Sequence, residues 1–192
     1  MQLQRNVGGG VGLEPSLNLN GNLPHVTVFQ GSFSDSLTPT EALSGIAGSA
    51  ADVGLRGELS LSSPGVTYQP IGWLFLALER PPLLEALQEA TLAALAPHLD
   101  GSAFAGDKDV SRFTDSERAS YETYGYRYTG DAYSPHMTLG RAPEDVAVEL
   151  VRTAQERVAV PKTWVFDRLS FYVMGPHGAH AETLLERPLG SR

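Results

Sequence analysis

The chain contains no cysteine, which excludes disulfides, thiolate metal sites and a thiol nucleophile. It has no apolar run near the ~18 residues that a membrane helix needs, and its first residues lack the apolar core of a signal peptide. Cationic side chains are scarce: 14 Lys and Arg stand against 22 Asp and Glu, a formal net charge of -8. Sequence-independent binding to long nucleic acid, which neutralises many phosphates, is therefore not expected. A small phosphate ligand in a local pocket is compatible with that charge. The expectation is a soluble, cytoplasmic monomer with no membrane partner and no cofactor.

What is present fits one globular domain or two small lobes sharing a core: 192 residues, 42% hydrophobic and 19% charged. Residues 1–16 are polar and glycine-rich without a period, and are expected to be a flexible leader to a single domain over residues 17–192. "GGGVG" is no phosphate loop, because no Lys-Ser/Thr follows it and no apolar strand precedes it. A strand is expected over Pro24 to Phe29, with Val26 and Val28 on one face and His25, Thr27 and Phe29 on the other. Thr38-Pro39-Thr40-Glu41 opens a helix continued by Leu43, Ile46, Ala47, Ala50 and Val53.

"GELSLSS" and "GWLFLALE" read as strands around a turn-forming "SPG", and Pro81-Pro82 opens a helix with Leu84, Leu87, Leu92 and Leu95 as its stripe. Asp100 to Arg112 is polar and gives no pattern. Thr114 to Glu117 is a second capping box, with its helix running toward Tyr124. A second strand spans Pro135 to Leu139, a helix spans Pro143 to about Ala159, and a hairpin turning at "GPHG" closes the chain. The order predicts an α+β fold in two similar halves, each with one His-x-Thr strand near its start.

The two motifs are "PHVTVFQG" and "PHMTLGR". Alternation along a strand puts residues i and i+2 on one face, so His25 sits beside Thr27 and His136 beside Thr138. Two histidines and two threonines around one cleft suit phosphodiester cleavage. One neutral imidazole takes a proton from the attacking oxygen, the other gives one to the leaving oxygen, and the hydroxyls donate to non-bridging oxygens. A lone His-x-Thr is ordinarily a hydrogen-bonded structural histidine; the repetition, with proline before each and aliphatic residues between, favours function. No Asp/Glu/His cluster accompanies either motif at ligand spacing, so no metal site is expected.

These residues resemble the paired His-x-Ser/Thr signature of the 2H phosphoesterase superfamily, which includes the bacterial proteins called 2′-5′ RNA ligases and RNA 2′,3′-cyclic phosphodiesterases. "YGYRYTGDAYSPHMTLGR" and "FDRLSFYVMGPHG" extend the similarity over most of the chain from about residue 17. The resemblance implies two lobes, each an antiparallel sheet with outer helices, around a central groove holding both motifs. It implies metal-independent cleavage of a cyclic phosphate on a nucleotide or RNA end, with His25 and His136 as acid–base pair and Thr27 and Thr138 as phosphate-binding hydroxyls. Ligation through 2′-5′ linkages, or non-catalytic binding of a nucleotide or RNA end, are the alternatives.

Around the motifs, Phe29, Tyr126 and Tyr133 are candidates to line the cleft or stack a base. Tyr124 and Tyr128 crowd the same approach. Arg141 is a candidate to reach a phosphate, although alternation puts it on the face opposite His136. Arg127 stands in the connecting loop. His98 closes a helix and reads as structural. His177 and His180, in "HGAH", have the spacing of a metal pair without a third ligand.

Overall fold

The computed structural model describes residues 1–19, 21–101 and 109–189. Asp100 to Arg112 lies largely outside them. Five α-helices and three antiparallel sheets form a mixed α+β fold among these residues.

Local signals set most of the helices. The first box closes as expected: Glu41 N–H donates to Thr38 Oγ1 at 3.2 Å, and Thr38 N–H donates to the Glu41 carboxylate at 3.0 Å. That helix, α2, spans Pro39–Asp52 and buries Ala42, Leu43, Ile46, Ala47 and Ala50. Helix α3 spans Pro82–Leu95 and lies against α2. Thr114 and Glu117 form the second box at the start of α4, Asp115–Tyr124. Helix α5 spans Glu144–Arg157, slightly shorter than expected.

The expectation for residues 1–16 is corrected. Helix α1 occupies Gln2–Gly8, ended by Gly9 in the left-handed region (φ 56°), which glycine adopts without a Cβ clash. Val7 and Leu13 are only 3% and 4% exposed. The Gln4 amide explains the order: it donates to the Leu139 carbonyl at 2.8 Å and the Pro15 carbonyl at 3.0 Å, while its oxygen accepts from Leu17 N–H at 3.0 Å. Five of its seven positions are polar or glycine, which hides this helix from a periodicity reading; one glutamine and a few apolar side chains hold it.

Strands β1 (Leu59–Ser62), β2 (Gly65–Gln69), β3 (Trp73–Ala77), β4 (His136–Arg141), β5 (Thr163–Phe166), β6 (Arg168–Met174) and β7 (His180–Pro188) form sheets β1–β5, β2–β3–β4 and β6–β7. "GELSLSS" does give a strand, but β1 pairs with β5 a hundred residues on. The partner of β3 is β2, which follows the "SPG" turn directly. The terminal hairpin turns at "GPHG" as expected, but the stretch "TWVFDRLSFYVMG" expected as its first arm is split at Asp167: β6 pairs with β7 and β5 with β1. Helix α5 covers β2 and β3, and α2 lies against the hairpin.

The strand expected over Pro24 to Phe29 is also corrected: this stretch has no ladder. Its apolar alternation fixes an extended chain, but a ladder requires a free edge. The outer edge of β4 is bonded to the leader, Arg141 N–H donating to the Glu14 carbonyl at 2.7 Å. Side chains satisfy the segment instead. Tyr133 Oη donates to the Thr27 carbonyl at 3.3 Å, and Gln88 Nε2 to the Val28 carbonyl at 3.2 Å.

Candidate functional site

Each histidine follows a proline, Pro24 or Pro135, and each is held in the same way. Proline favours an extended conformation in the residue before it, and the carbonyl two positions ahead of each imidazole faces the ring. His25 Nδ1–H donates to the Leu23 carbonyl and His136 Nδ1–H to the Ser134 carbonyl, both at 2.7 Å. A carbonyl only accepts, so Nδ1 carries the proton and Nε2 is the nitrogen left for exchange.

His136 opens β4, with Met137 and Leu139 buried at the alternate positions. Its ring lies flat on Phe75 of β3, centroids 3.9 Å apart and planes 8° apart, and meets the Tyr128 ring edge-on at 5.3 Å. Burial pushes its pKa down to about 4; the Ser134 hydrogen bond opposes this, and the charges of Arg127 and His25 add to the depression.

His25 is held from the terminal hairpin. Its Nε2 lies 3.2 Å from Tyr172 Oη, and the Tyr172 ring stacks on His180 at 4.2 Å. Burial lowers the His25 pKa, the hydrogen bonds to Leu23 and Gly178 oppose this, and His180 adds to the lowering.

His25 and Thr138, one residue from each motif, line one shallow depression with Pro15, Leu17 and His177; His136 and Thr27 are not among its lining residues. The two threonines differ. Thr138 lines that depression, whereas the Thr27 side chain lies beside the phenols of Tyr126 and Tyr172 and lowers their pKa values.

The neighbouring candidates are placed otherwise. Tyr126 and Tyr133 are 7% and 4% exposed, and burial raises the pKa of both. They form the wall under the first motif, with no face open for a base. Phe29 packs edge-on against Phe33, Tyr124 and Tyr126 and does not line the depression. Arg141 Nε donates to the Ile71 carbonyl at 2.6 Å beside Trp73. Arg127 pairs with Glu117 at 3.6 Å, touches the Tyr128 hydroxyl and covers the Phe113 and Tyr128 rings.

Two residues escaped the sequence reading. Tyr172 and Ser170 share one face of β6 by alternation, and His180 begins β7 only 2% exposed, with Nε2 3.1 Å from Ser170 Oγ. "HGAH" drew attention for metal spacing, but the informative signal was the strand phase of Ser170 and Tyr172. Among the described residues no group of three or more His, Cys, Asp or Glu is placed to hold a metal ion, and no helix is long and apolar enough to cross a membrane. No family model matches the chain, and no curated protein does.

Proposed function

We propose that this chain is a phosphodiesterase of the 2H type, opening a cyclic phosphate on a nucleotide or RNA end. The observation that carries this reading is the matched anchoring of His25 and His136 on Nδ1, with His25 and Thr138 lining one depression. Such a pair supplies two imidazoles whose remaining nitrogen is committed to proton transfer and a hydroxyl free to meet a phosphate oxygen.

The reaction balances with water as the only co-reactant. A neutral Nε2 takes a proton as the water oxygen bonds to phosphorus. The bond from phosphorus to a ribose oxygen breaks, and the other histidine, protonated, delivers its proton to that oxygen. Thr138 donates to a non-bridging oxygen as charge builds there. Both pKa values lie low in the free protein, and an anionic phosphodiester between the rings raises them, so substrate helps to supply the proton it needs. Two sheets flank the depression in this reading, β2–β3–β4 carrying the second motif and β6–β7 supporting the first, which accords with a bilobal arrangement.

The test is incubation of the protein with 2′,3′-cyclic mononucleotides, 3′,5′-cyclic nucleotides, 2′-5′-linked oligonucleotides and cyclic-phosphate RNA ends, with EDTA present. Opening of a cyclic phosphate by the wild type, lost in the His25→Ala/His136→Ala double variant, is expected. No turnover of any of them above that variant, or turnover that only a divalent ion restores, sinks the proposal. Binding of a nucleotide without turnover would leave the non-catalytic alternative.

A further inference from the structure

The first motif has no ladder, so something else must hold the His25 ring at its working angle. Its Nδ1 is fixed by Leu23, and its other nitrogen meets a phenol from a different part of the chain, Tyr172, 147 positions away. That phenol is not loose. Its ring lies 20° from parallel with the buried His180 ring, and His180 is fixed by Ser170 Oγ and through its own backbone N–H, which donates to Asn22 Oδ1 at 3.1 Å. Asn22 stands three residues before His25, so the hairpin grips this segment at two points.

We propose that Tyr172 is a positioning residue of the site: its phenol, clamped by His180, orients Nε2 of His25 and holds that nitrogen in its proton-accepting form until substrate displaces the contact. The phenol suits the neutral ring. It donates to Nε2 of the neutral ring and, being raised above its ordinary pKa by burial, stays protonated to do so; that bond is lost when Nε2 takes a proton. The titratable groups near His25 are Tyr172 from β6 and His180 from β7, whose rings meet its own, and His177 from the turn between β6 and β7, which lines the same depression; the charge of His25 also acts on His136 of β4. Among the described residues only Tyr172 has a side chain in hydrogen-bond contact with Nε2.

The catalytic part of this inference rests on the phosphodiesterase reading; the contact itself does not. Tyr172→Phe keeps the ring on His180 and removes only the hydroxyl. Imidazole NMR titration without substrate should show His25 titrating about 0.5–1 pH unit higher, the size of one net hydrogen bond lost from the neutral form. Tyr126→Phe is the matched control, since it removes a phenol from the same Thr27 without touching His25, and should leave that titration in place. In turnover, Tyr172→Phe should lower kcat about tenfold with KM within about twofold, and move one limb of the pH profile by the NMR shift. An unchanged His25 titration, or a lowered melting temperature with kcat and pH profile intact, overturns the inference. If wild type turns over no phosphodiester while the NMR shift persists, the phosphodiesterase reading fails and the Tyr172–His25 contact stands.

Discussion

His136→Gln should remove a pH dependence of stability that the wild type carries. The folded state holds His136 near pKa 4 against an ordinary 6.5, so the unfolded chain binds this proton more readily. The stabilisation is complete above pH 6.5, falls as acid protonates the unfolded state, and is gone below about pH 4. At ~1.36 kcal/mol per pH unit the full difference is about 3 kcal/mol, with about 2 kcal/mol already lost at pH 5. Glutamine carries no charge, retains an amide donor toward the Ser134 carbonyl and lays a flat group on Phe75. Other titrating groups are common to both proteins and largely cancel. His25 is one of them: its lowering comes from burial and His180, and His136 is not among its causes, so removing His136 leaves that contribution in place. Denaturant unfolding of both proteins at pH 7.5, 6, 5 and 4.5 measures the effect. Wild type should lose about 2 kcal/mol more than the variant between pH 7.5 and 5. Curves parallel to within about 0.5 kcal/mol would show that His136 titrates normally, and burial against Phe75 and Tyr128 would then have the wrong consequence.

His25→Ala and His136→Ala should each lower turnover ~10²–10⁴-fold, the double variant being little worse because the pair acts as a unit; singles that multiply in the double would mean two independent roles. The profile of kcat/KM against pH should be a bell with its maximum on the acid side of pH 6.5, since it reports the free protein's histidines and both are lowered; an optimum above pH 7.5 contradicts that. Gln4→Ala leaves the Leu139 and Pro15 carbonyls without their donor and should cost about 1–3 kcal/mol. It should also raise KM, because Pro15 and Leu17 line the depression; calorimetry and steady-state rates on one preparation check both, and an unchanged KM would detach the leader from the site.

Helices α2 and α4 were legible because their signals are local, and α1, which carries no such signal, was not. Thr38 and Glu41, or Thr114 and Glu117, lie within one turn, so the capping bond needs no knowledge of the fold. The turn of the hairpin β6–β7 was legible for the same reason. Pairing was not, because strand alternation fixes which face is buried but not which edge is free. Pro24 to Phe29 has the pattern of a strand and no partner, while Glu14, in a stretch with no pattern, takes the edge of β4. For the candidate site, the motifs singled out the histidines and threonines, of which His25 and Thr138 line one depression, but the tyrosines were ambiguous in sequence. Tyr126 and Tyr133 lie near His136 in the chain and turn out to be wall; Tyr172 lies far from His25 and touches it.

That contrast bears on why histidine occurs twice in apolar surroundings. The proline and the carbonyl two residues before the ring travel with each motif, so the Nδ1 bond is encoded locally and both copies show it at the same length. Everything on the Nε2 side is supplied from elsewhere and differs. His136 rests on Phe75, its ring fixed by a ladder in which Ala77 faces His136 and Phe75 faces Thr138. His25 has no ladder and is fixed by Tyr172 and His180 from the hairpin. A structural histidine needs its polar atoms satisfied once, in whatever way the fold provides. Two histidines that repeat one tautomer-setting bond while drawing unlike support from distant elements both leave Nε2 as the nitrogen for exchange. The proposed proton transfer asks for that on both rings at once, because acid and base would each present Nε2 to the same phosphate.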